Sequence, residues 1–291
     1  MTSWCGRRLG LVACLIPLAA RAQEPAGAPR EDGRTTPLMV YAPPQRIGCA
    51  PLALISHGAG GSENGYGYLA RALSARGFLA VVMGHRESGL KALGGGVLQE
   101  GLRPGLEKLV EDPEAERARL LDTGAALRWA ERTCAPPFRV LLGHSMGAIT
   151  VMLEAGARNR IGLGSPPAGR NRFDAYVALS PEGPGIVFPE DAWNQIGTPM
   201  LILTGTRDQA LAGGPESRQV PWRDLPGGGR GRCRWMGVIE GATHMNFAGA
   251  GAGAGRVDAL VEETVAAFLK GARSGKCALP AERAGLELQA K

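Results

Sequence analysis

Short unbroken apolar runs alternate along the chain with longer stretches in which apolar residues recur every three or four positions. The runs are Leu38–Tyr41, Pro51–Ser56, Phe78–Met83, Val140–Leu142, Ala175–Leu179, Pro199–Leu203 and Trp235–Ile239. A strand with one wet face would alternate apolar and polar residues. Unbroken runs predict strands covered on both faces, as in a central parallel sheet. Between the runs, Tyr68, Leu69, Ala72 and Leu73 form an apolar stripe within 63–76, which Gly77 is suited to cap. Leu120, Leu121, Ala125 and Trp129 do the same within 114–132, and Leu260, Val261, Val265 and Phe268 within 257–270. Strands alternating with helices predict an α/β fold: a mostly parallel central sheet with helices on both faces.

In such sheets, ligand groups gather beyond the C-terminal ends of the strands. Ser56-His57, His85, Ser145, Pro181-Glu182, Asp208 and His244 all follow predicted strands. Ser145 is the apex of Gly143-His144-Ser145-Met146-Gly147, where a buried run breaks sharply into a small, helix-compatible segment. The pattern G-x-S-x-G alone is weak, because a chain with 44 glycines yields about 0.3 chance matches. The strand–turn–helix setting strengthens it, since glycines on either side let a strained turn expose the serine.

A serine hydroxyl needs a base to take its proton, and the base needs a carboxylate to fix its tautomer. His144 adjoins the serine and should point away from it. His244, after the last strand, sits where a loop can return to the turn and is the expected base. Asp208 ends the preceding strand and gives the order Ser, Asp, His; Glu182 is the alternative acid. An ester's developing oxyanion needs preorganised N–H donors. Met146 N–H is one candidate. The His57-Gly58-Ala59-Gly60-Gly61 turn supplies the other, Ala59 first and Gly60 as its neighbour. This turn lacks the spacing of a phosphate or dinucleotide loop, and chemistry of this kind requires no metal or cofactor, so neither is expected.

The remaining chain sets the context. Arg7 and Arg8, the apolar stretch Leu9–Ala20 and the Ala20-Arg21-Ala22 site read as a secretory signal over 1–22. Twelve mostly apolar residues are short for a bilayer span, so no stable transmembrane span is expected in the mature chain. Export predicts a periplasmic or secreted protein. Removing the signal takes away three arginines and no acid, which lowers the formal charge from +6 to +3. The basic clusters Arg170-Asn171-Arg172 and Arg230-Gly231-Arg232 then read as solvated loops, and nucleic acid is not an expected partner. Cys49, Cys134, Cys233 and Cys277 remain, enough for one or two disulfide bonds in an oxidising compartment. Three complete pairings are open; Cys277 is suited to staple the tail to the body, with Cys233 as one candidate partner. Residues 23–34 read as a flexible Pro/Gly/Glu linker, 35–270 as the folded domain, and 271–291 as a tail. The 89–113 insertion reads as either a small lid or an ordinary surface excursion. Trp193, Trp222, Phe188 and Phe247 are pocket candidates, with core packing the plainer reading.

Four stretches in order carry a family resemblance: His57–Gly61, Gly143–Gly147, Thr204-Gly205-Thr206-Arg207-Asp208 and Gly241-Ala242-Thr243-His244-Met245-Asn246-Phe247. Over about residues 38–270 the chain resembles the α/β-hydrolases. It is most similar to exported bacterial serine esterases related to dienelactone hydrolases and plasma-type platelet-activating-factor acetylhydrolases. The resemblance implies a Ser145–Asp208–His244 triad acting on a small-molecule or lipid-like ester through an acyl-enzyme. Dienelactone hydrolases use a cysteine where this chain has Ser145, which favours serine-esterase chemistry. The same triad also serves amidases and peptidases, and a catalytically silent binding protein of this fold is the other alternative.

Overall fold

The computed structural model describes residues 23–45, 48–164, 172–227 and 233–291. The expected signal segment lies outside the described residues, as do Arg170, Asn171 and the Arg230–Arg232 cluster. The seven apolar runs become the seven inner strands of one nine-stranded sheet. Its strands are β1 (Glu24–Pro29), β2 (Thr35–Tyr41), β3 (Leu52–Ser56), β4 (Leu79–Met83), β5 (Arg139–His144), β6 (Ala175–Leu179), β7 (Met200–Arg207), β8 (Arg234–Thr243) and β9 (Leu286–Ala290), the runs being β2 to β8. Their spatial order is β1-β2-β4-β3-β5-β6-β7-β8-β9. From β4 to β8 neighbouring strands are parallel, while β1, β2 and β9 join antiparallel at the edges.

Side chains that alternate along each central strand feed two separate cores. Leu52 and Leu54 of β3, with Leu141 of β5, face one core; Ala53 and Ile55, with Val140 and Leu142, face the other. The first core is closed by α4 (Pro113–Thr133) and α5 (Met146–Glu154), the second by α1 (Gly67–Ala75) and α7 (Ala254–Ser274). The start of α4 is marked by its chemistry. The Asp112 side chain accepts from Glu114 N at 2.9 Å, Pro113 opens the first turn, and Glu114 and Glu116 complement the helix dipole.

The segments on both sides of 35–270 each add a strand to the sheet. The presumed linker at 23–34 instead carries β1, paired with β2 from Glu24↔Val40 to Pro29↔Thr35. Pro25 and Pro29 disguise it, yet an edge strand tolerates proline because only one side must supply hydrogen bonds. Beyond it, buried Arg30 reaches Glu87 at 2.9 Å and Asp122 at 3.2 Å, and also pairs with Asp32. The tail is likewise structured: α7 continues to Ser274 and β9 pairs with β8. A Cys233–Cys277 disulfide fastens it, and a second joins Cys49 to Cys134.

The 89–113 insertion forms α2 (Leu90–Glu100) and α3 (Leu102–Glu111). They cross where both backbones are bare, since a Cβ at Gly105 would lie 2.7 Å from the Gly96 carbonyl carbon. Leu93 of α2 lies against Gly60, and Arg103 of α3 donates to Leu211 O at 2.8 Å. The pair is therefore anchored to the loops after β3 and β7. Among the described residues, no helix is long and apolar enough to cross a membrane.

Candidate active site

The strand β5 meets α5 at Ser145, whose backbone is held at φ 57°, ψ −120°. That conformation is strained for any side chain other than glycine and persists only where surrounding packing imposes it. Here the packing is backbone on backbone. A Cβ at Gly143 would lie 2.1 Å from Gly147 O, and one at Gly147 would lie 2.1 Å from Ser56 O. Both glycines are thus required by contact. Ser145 N donates to Leu179 O at 3.1 Å, which pins the turn to the end of β6.

His244 opens a short turn, His244–Ala248, beyond β8. Its Nε2 lies 2.9 Å from Ser145 Oγ, and both residues are only partly buried. The turn is fixed by a reciprocal cap: Thr243 N donates to Asn246 Oδ1 at 2.9 Å, and the Thr243 side chain accepts from the Asn246 backbone. Asn246 Nδ2 then donates to Ala250 O and Ala252 O at 3.0 and 3.1 Å. Asn246 was legible only as part of a motif, although the T-x-x-N spacing before the turn resembles a capping box.

Asp208, fully buried just beyond β7, has its Oδ1 3.1 Å from His244 Nδ1. Thr204 Oγ1 donates to its Oδ2 at 2.8 Å, Ser180 Oγ donates to Oδ1 at 2.8 Å, and Arg218 Nε stands 2.8 Å from Oδ1. Burial pushes this carboxyl up. The hydrogen bond from His244, the Arg218 charge and the Ser180 hydroxyl together hold it below its ordinary value. Glu182 lies elsewhere, with Arg218 Nη1 at 3.1 Å and Leu211 N at 3.3 Å, so Asp208 rather than Glu182 meets the histidine.

Sequence reasoning passed over Arg218 within the Gly/Arg-rich connection. Its buried guanidinium donates to the backbone oxygens of Asp208, Ser180, Pro181 and Gln209 at 2.5–3.0 Å. It thereby ties together the loops after β6 and β7. The only available signal was an arginine inside a proline-initiated turn, Pro215–Gln219, which does not single out the residue.

The glycine loop is held from several sides. Gly58 N donates to Tyr66 Oη at 3.2 Å, Gly60 N to Ser88 O at 2.9 Å, and Gly61 N to Gly58 O at 3.1 Å. The Gly60 amide is therefore already engaged with Ser88 O. Ala59 lies between these committed amides. Met146 is the first residue of α5, so its N–H has no acceptor within the helix.

His144 points away from Ser145. Its Nε2 lies 3.0 Å from His244 O and its Nδ1 2.7 Å from Tyr66 Oη. Because the Tyr66 oxygen accepts from Gly58, its hydrogen is directed to His144 Nδ1, and Nε2–H donates to the His244 carbonyl. Burial depresses the basicity of His144, and His244 and Arg218 add to this, in keeping with a neutral ring.

A second Ser–His–Asp set lies beneath the loop. Ser56 Oγ is 2.9 Å from His85 Nε2, and His85 Nδ1 is 2.9 Å from Asp122 Oδ2. All three are at most 2% exposed, so a substrate does not reach them. Arg119 joins this set to the loop, with Nη1 3.1 Å from Ser56 Oγ and 2.8 Å from His57 O. Burial pushes Asp122 up to about 6 and His85 well down. The aromatic pocket candidates resolve mostly into core: Phe188, Trp193 and Phe247 are fully buried, and Phe188 packs on Trp193 at 5.2 Å.

No family model and no curated protein matches the chain. Solved structures do. A candidate dienelactone hydrolase from Klebsiella pneumoniae subsp. pneumoniae superposes with a TM-score of 0.60 at 18% identity, covering 86% of this chain and 98% of that one. The esterase domain of a Rhodothermus marinus protein gives 0.56 at 16% identity, over 87% and 99%. An alpha-beta serine hydrolase homologue from Coxiella burnetii gives 0.55 at 17% identity, over 82% and 96%. The chain has the α/β-hydrolase fold. In an α/β-hydrolase sheet the loops beyond β3, β5, β6, β7 and β8 share one rim. Here they bring His57–Gly61, Ser145, Ser180, Asp208 and His244 together.

Proposed function

We propose that this chain is a serine hydrolase that cleaves carboxylic esters, with Ser145 as nucleophile, His244 as base and Asp208 as acid. The observation that carries the reading is the 2.9 Å approach of His244 Nε2 to Ser145 Oγ at a partly exposed, strained turn. His244 takes the Ser145 proton as Oγ attacks the ester carbonyl. The carbonyl oxygen becomes negative and is received by the Ala59 and Met146 N–H groups. One such donor is worth about 100- to 1,000-fold in turnover. His244 then gives its proton to the departing alcohol, leaving an acyl group on Ser145. Water deprotonated by the same histidine attacks the acyl carbonyl, the bond from the acyl carbon to Ser145 Oγ breaks, His244 returns the proton to Oγ, and the acid leaves.

An apolar substrate is favoured by the exposed apolar side chains of α2 and α3, the helix pair that reaches the glycine loop through Leu93. Leu90, Leu98 and Leu102 are 73%, 90% and 68% exposed on α2 and α3, and Met245 next to His244 is 53% exposed. Small or lipid-like esters suit such surroundings better than a charged peptide. Two disulfides, together with the signal expected at 1–22, support export to the periplasm or medium.

A fluorophosphonate probe followed by peptide mass mapping tests the nucleophile: Ser145 is labelled in the folded protein and Ser145→Ala is not. Absence of labelling in folded wild type would sink the enzymatic reading. p-Nitrophenyl esters of increasing chain length, run against matching anilides, test the ester. Faster cleavage of the anilides would favour an amidase instead.

A further inference from the structure

Three non-glycine residues among those described have a left-handed backbone: Tyr66 at φ 56°, Ser145 at 57° and Ser180 at 52°. All three stand at the same site. Ser145 is the proposed nucleophile, and Tyr66 bridges the glycine loop to His144. Ser180, which begins the loop after β6, has no place in the three-residue account. Strain of this kind costs about 1–3 kcal/mol and is kept where it serves a purpose.

The purpose is visible in the distances. His244 Nδ1 is 2.6 Å from Ser180 Oγ but 3.1 Å from Asp208 Oδ1. Ser180 Oγ is in turn 2.8 Å from Asp208 Oδ1. For Nε2 to accept the Ser145 proton, the hydrogen of neutral His244 must sit on Nδ1. The carboxylate accepts only, so the Ser180 hydrogen is directed to Asp208 and its lone pair is left to receive Nδ1–H. The nearer acceptor for the histidine is therefore a serine.

We propose that Ser180 is a positioning residue, interposed between Asp208 and His244, that takes the first hydrogen bond from His244 Nδ1–H. The inference rests on the reading of Ser145 and His244 as nucleophile and base. No proton leaves Nδ1 in this step. The Ser145 Oγ–H bond breaks, Nε2 gains that hydrogen, and the imidazolium charge is met by the Ser180 oxygen with the Asp208 carboxylate behind it. The other ionisable groups facing His244 are Arg218, whose Nη2 is 3.2 Å from Nδ1, and His144, whose ring centre is 4.7 Å away. The guanidinium only donates and cannot receive Nδ1–H, so a close oxygen acceptor there is what this tautomer needs. Arg218 Nη1 also donates to Ser180 O at 3.0 Å, which holds the serine in its strained turn.

The test compares wild type, Ser180→Ala and Ser180→Gly, the glycine variant removing the hydroxyl while relieving the strain. The readouts are the second-order rate of Ser145 labelling by a fluorophosphonate, the unfolding midpoint, and the low-field proton NMR signal of His244 Nδ1–H. Loss of one hydrogen bond to a charged group is expected to slow labelling about tenfold to a hundredfold in both variants. The Nδ1–H signal should move in both. Labelling within twofold of wild type in either folded variant overturns the assignment, as does an unmoved Nδ1–H signal. If Ser180→Ala is slow only because it is unfolded, Ser180→Gly decides by the same two readouts. A wild type that is not labelled at all overturns the serine-hydrolase reading along with this one, whereas labelled wild type with unaffected variants overturns this one alone.

Discussion

The Tyr66 hydroxyl lies 2.7 Å from His144 Nδ1 while accepting from Gly58 N, so one oxygen joins the glycine loop to the histidine beside the strained turn. His144 passes the link onward to the carbonyl of His244. The loop that would receive the oxyanion and the residue that would act as base are thus held by one chain of hydrogen bonds. Burial pushes the Tyr66 phenol up to about 12, so it stays protonated and able to donate.

Tyr66→Phe leaves His144 Nδ1 and Gly58 N without that partner in a buried setting. Stability should fall by about 1–3 kcal/mol in urea unfolding. Labelling of Ser145 should slow several-fold, because the loop donor and the base lose their common brace. Unchanged labelling in a destabilised variant would show that the link only holds the fold.

Gly147→Ala would place a Cβ 2.1 Å from Ser56 O and 2.9 Å from His57 O, and neither backbone atom can move without displacing β3. The substitution should cost about 3 kcal/mol or more, at the upper end of overpacking. Gly197→Ala is the contrast. Apart from its own residue and chain neighbours, no atom lies within 4 Å of the added carbon, so its stability should stay within about 0.5 kcal/mol of wild type. Equal urea midpoints for the two variants would refute the contact argument.

The disulfides span 85 and 44 residues, and cross-links over loops of that length stabilise by about 4 kcal/mol each through the unfolded chain. Reductant should therefore lower the urea midpoint of wild type. Cys277→Ser should lower it on its own and free the tail for proteolysis between α7 and β9. A midpoint indifferent to reductant would mean that neither bridge constrains the unfolded state.

How much of this could be read from the sequence follows from where the interactions are made. The central strands were legible because β3 to β7 are buried on both faces and read as unbroken apolar runs. Ser145, Asp208 and His244 were legible as a candidate site because each follows such a run, and the structure brings them within hydrogen-bonding reach. β1 was not legible: its pairing uses backbone groups, and Pro25, Gly27 and Pro29 carry loop composition. Arg218 and Ser180 were hidden for a different reason. Their roles depend on meeting Asp208 across two loops, 10 and 28 residues away in sequence, and no local pattern records that meeting. Glycine at 60 permits close approach and so looks like a neighbouring donor in the sequence, whereas the partner of its amide, Ser88 O, lies 28 residues on and leaves no local mark.

Glu116 offers a prediction with a definite sign in pH. It is fully buried on α4, one carboxyl oxygen accepts from Thr150 Oγ1 at 3.1 Å, and burial pushes its pKa from 4.5 up to about 7, against the pull of Arg119. A raised carboxyl binds more protons folded than unfolded. Its contribution is therefore fully present below about pH 4.5 and is lost as pH rises through about 7. Glu116→Gln keeps the shape and cannot ionise. The stability of the variant relative to wild type should therefore rise between those limits, by about 3 kcal/mol at most. His57, His85 and His144 work in the opposite sense. Burial lowers all three, so their contribution is lost as pH falls below about 6.5, but they are common to both proteins and cancel in the difference. Urea unfolding of both proteins across roughly pH 4 to 8 checks this. A difference that stays flat, or that shrinks as pH rises, would mean that Glu116 is already ionised in the folded protein and is held by Arg119.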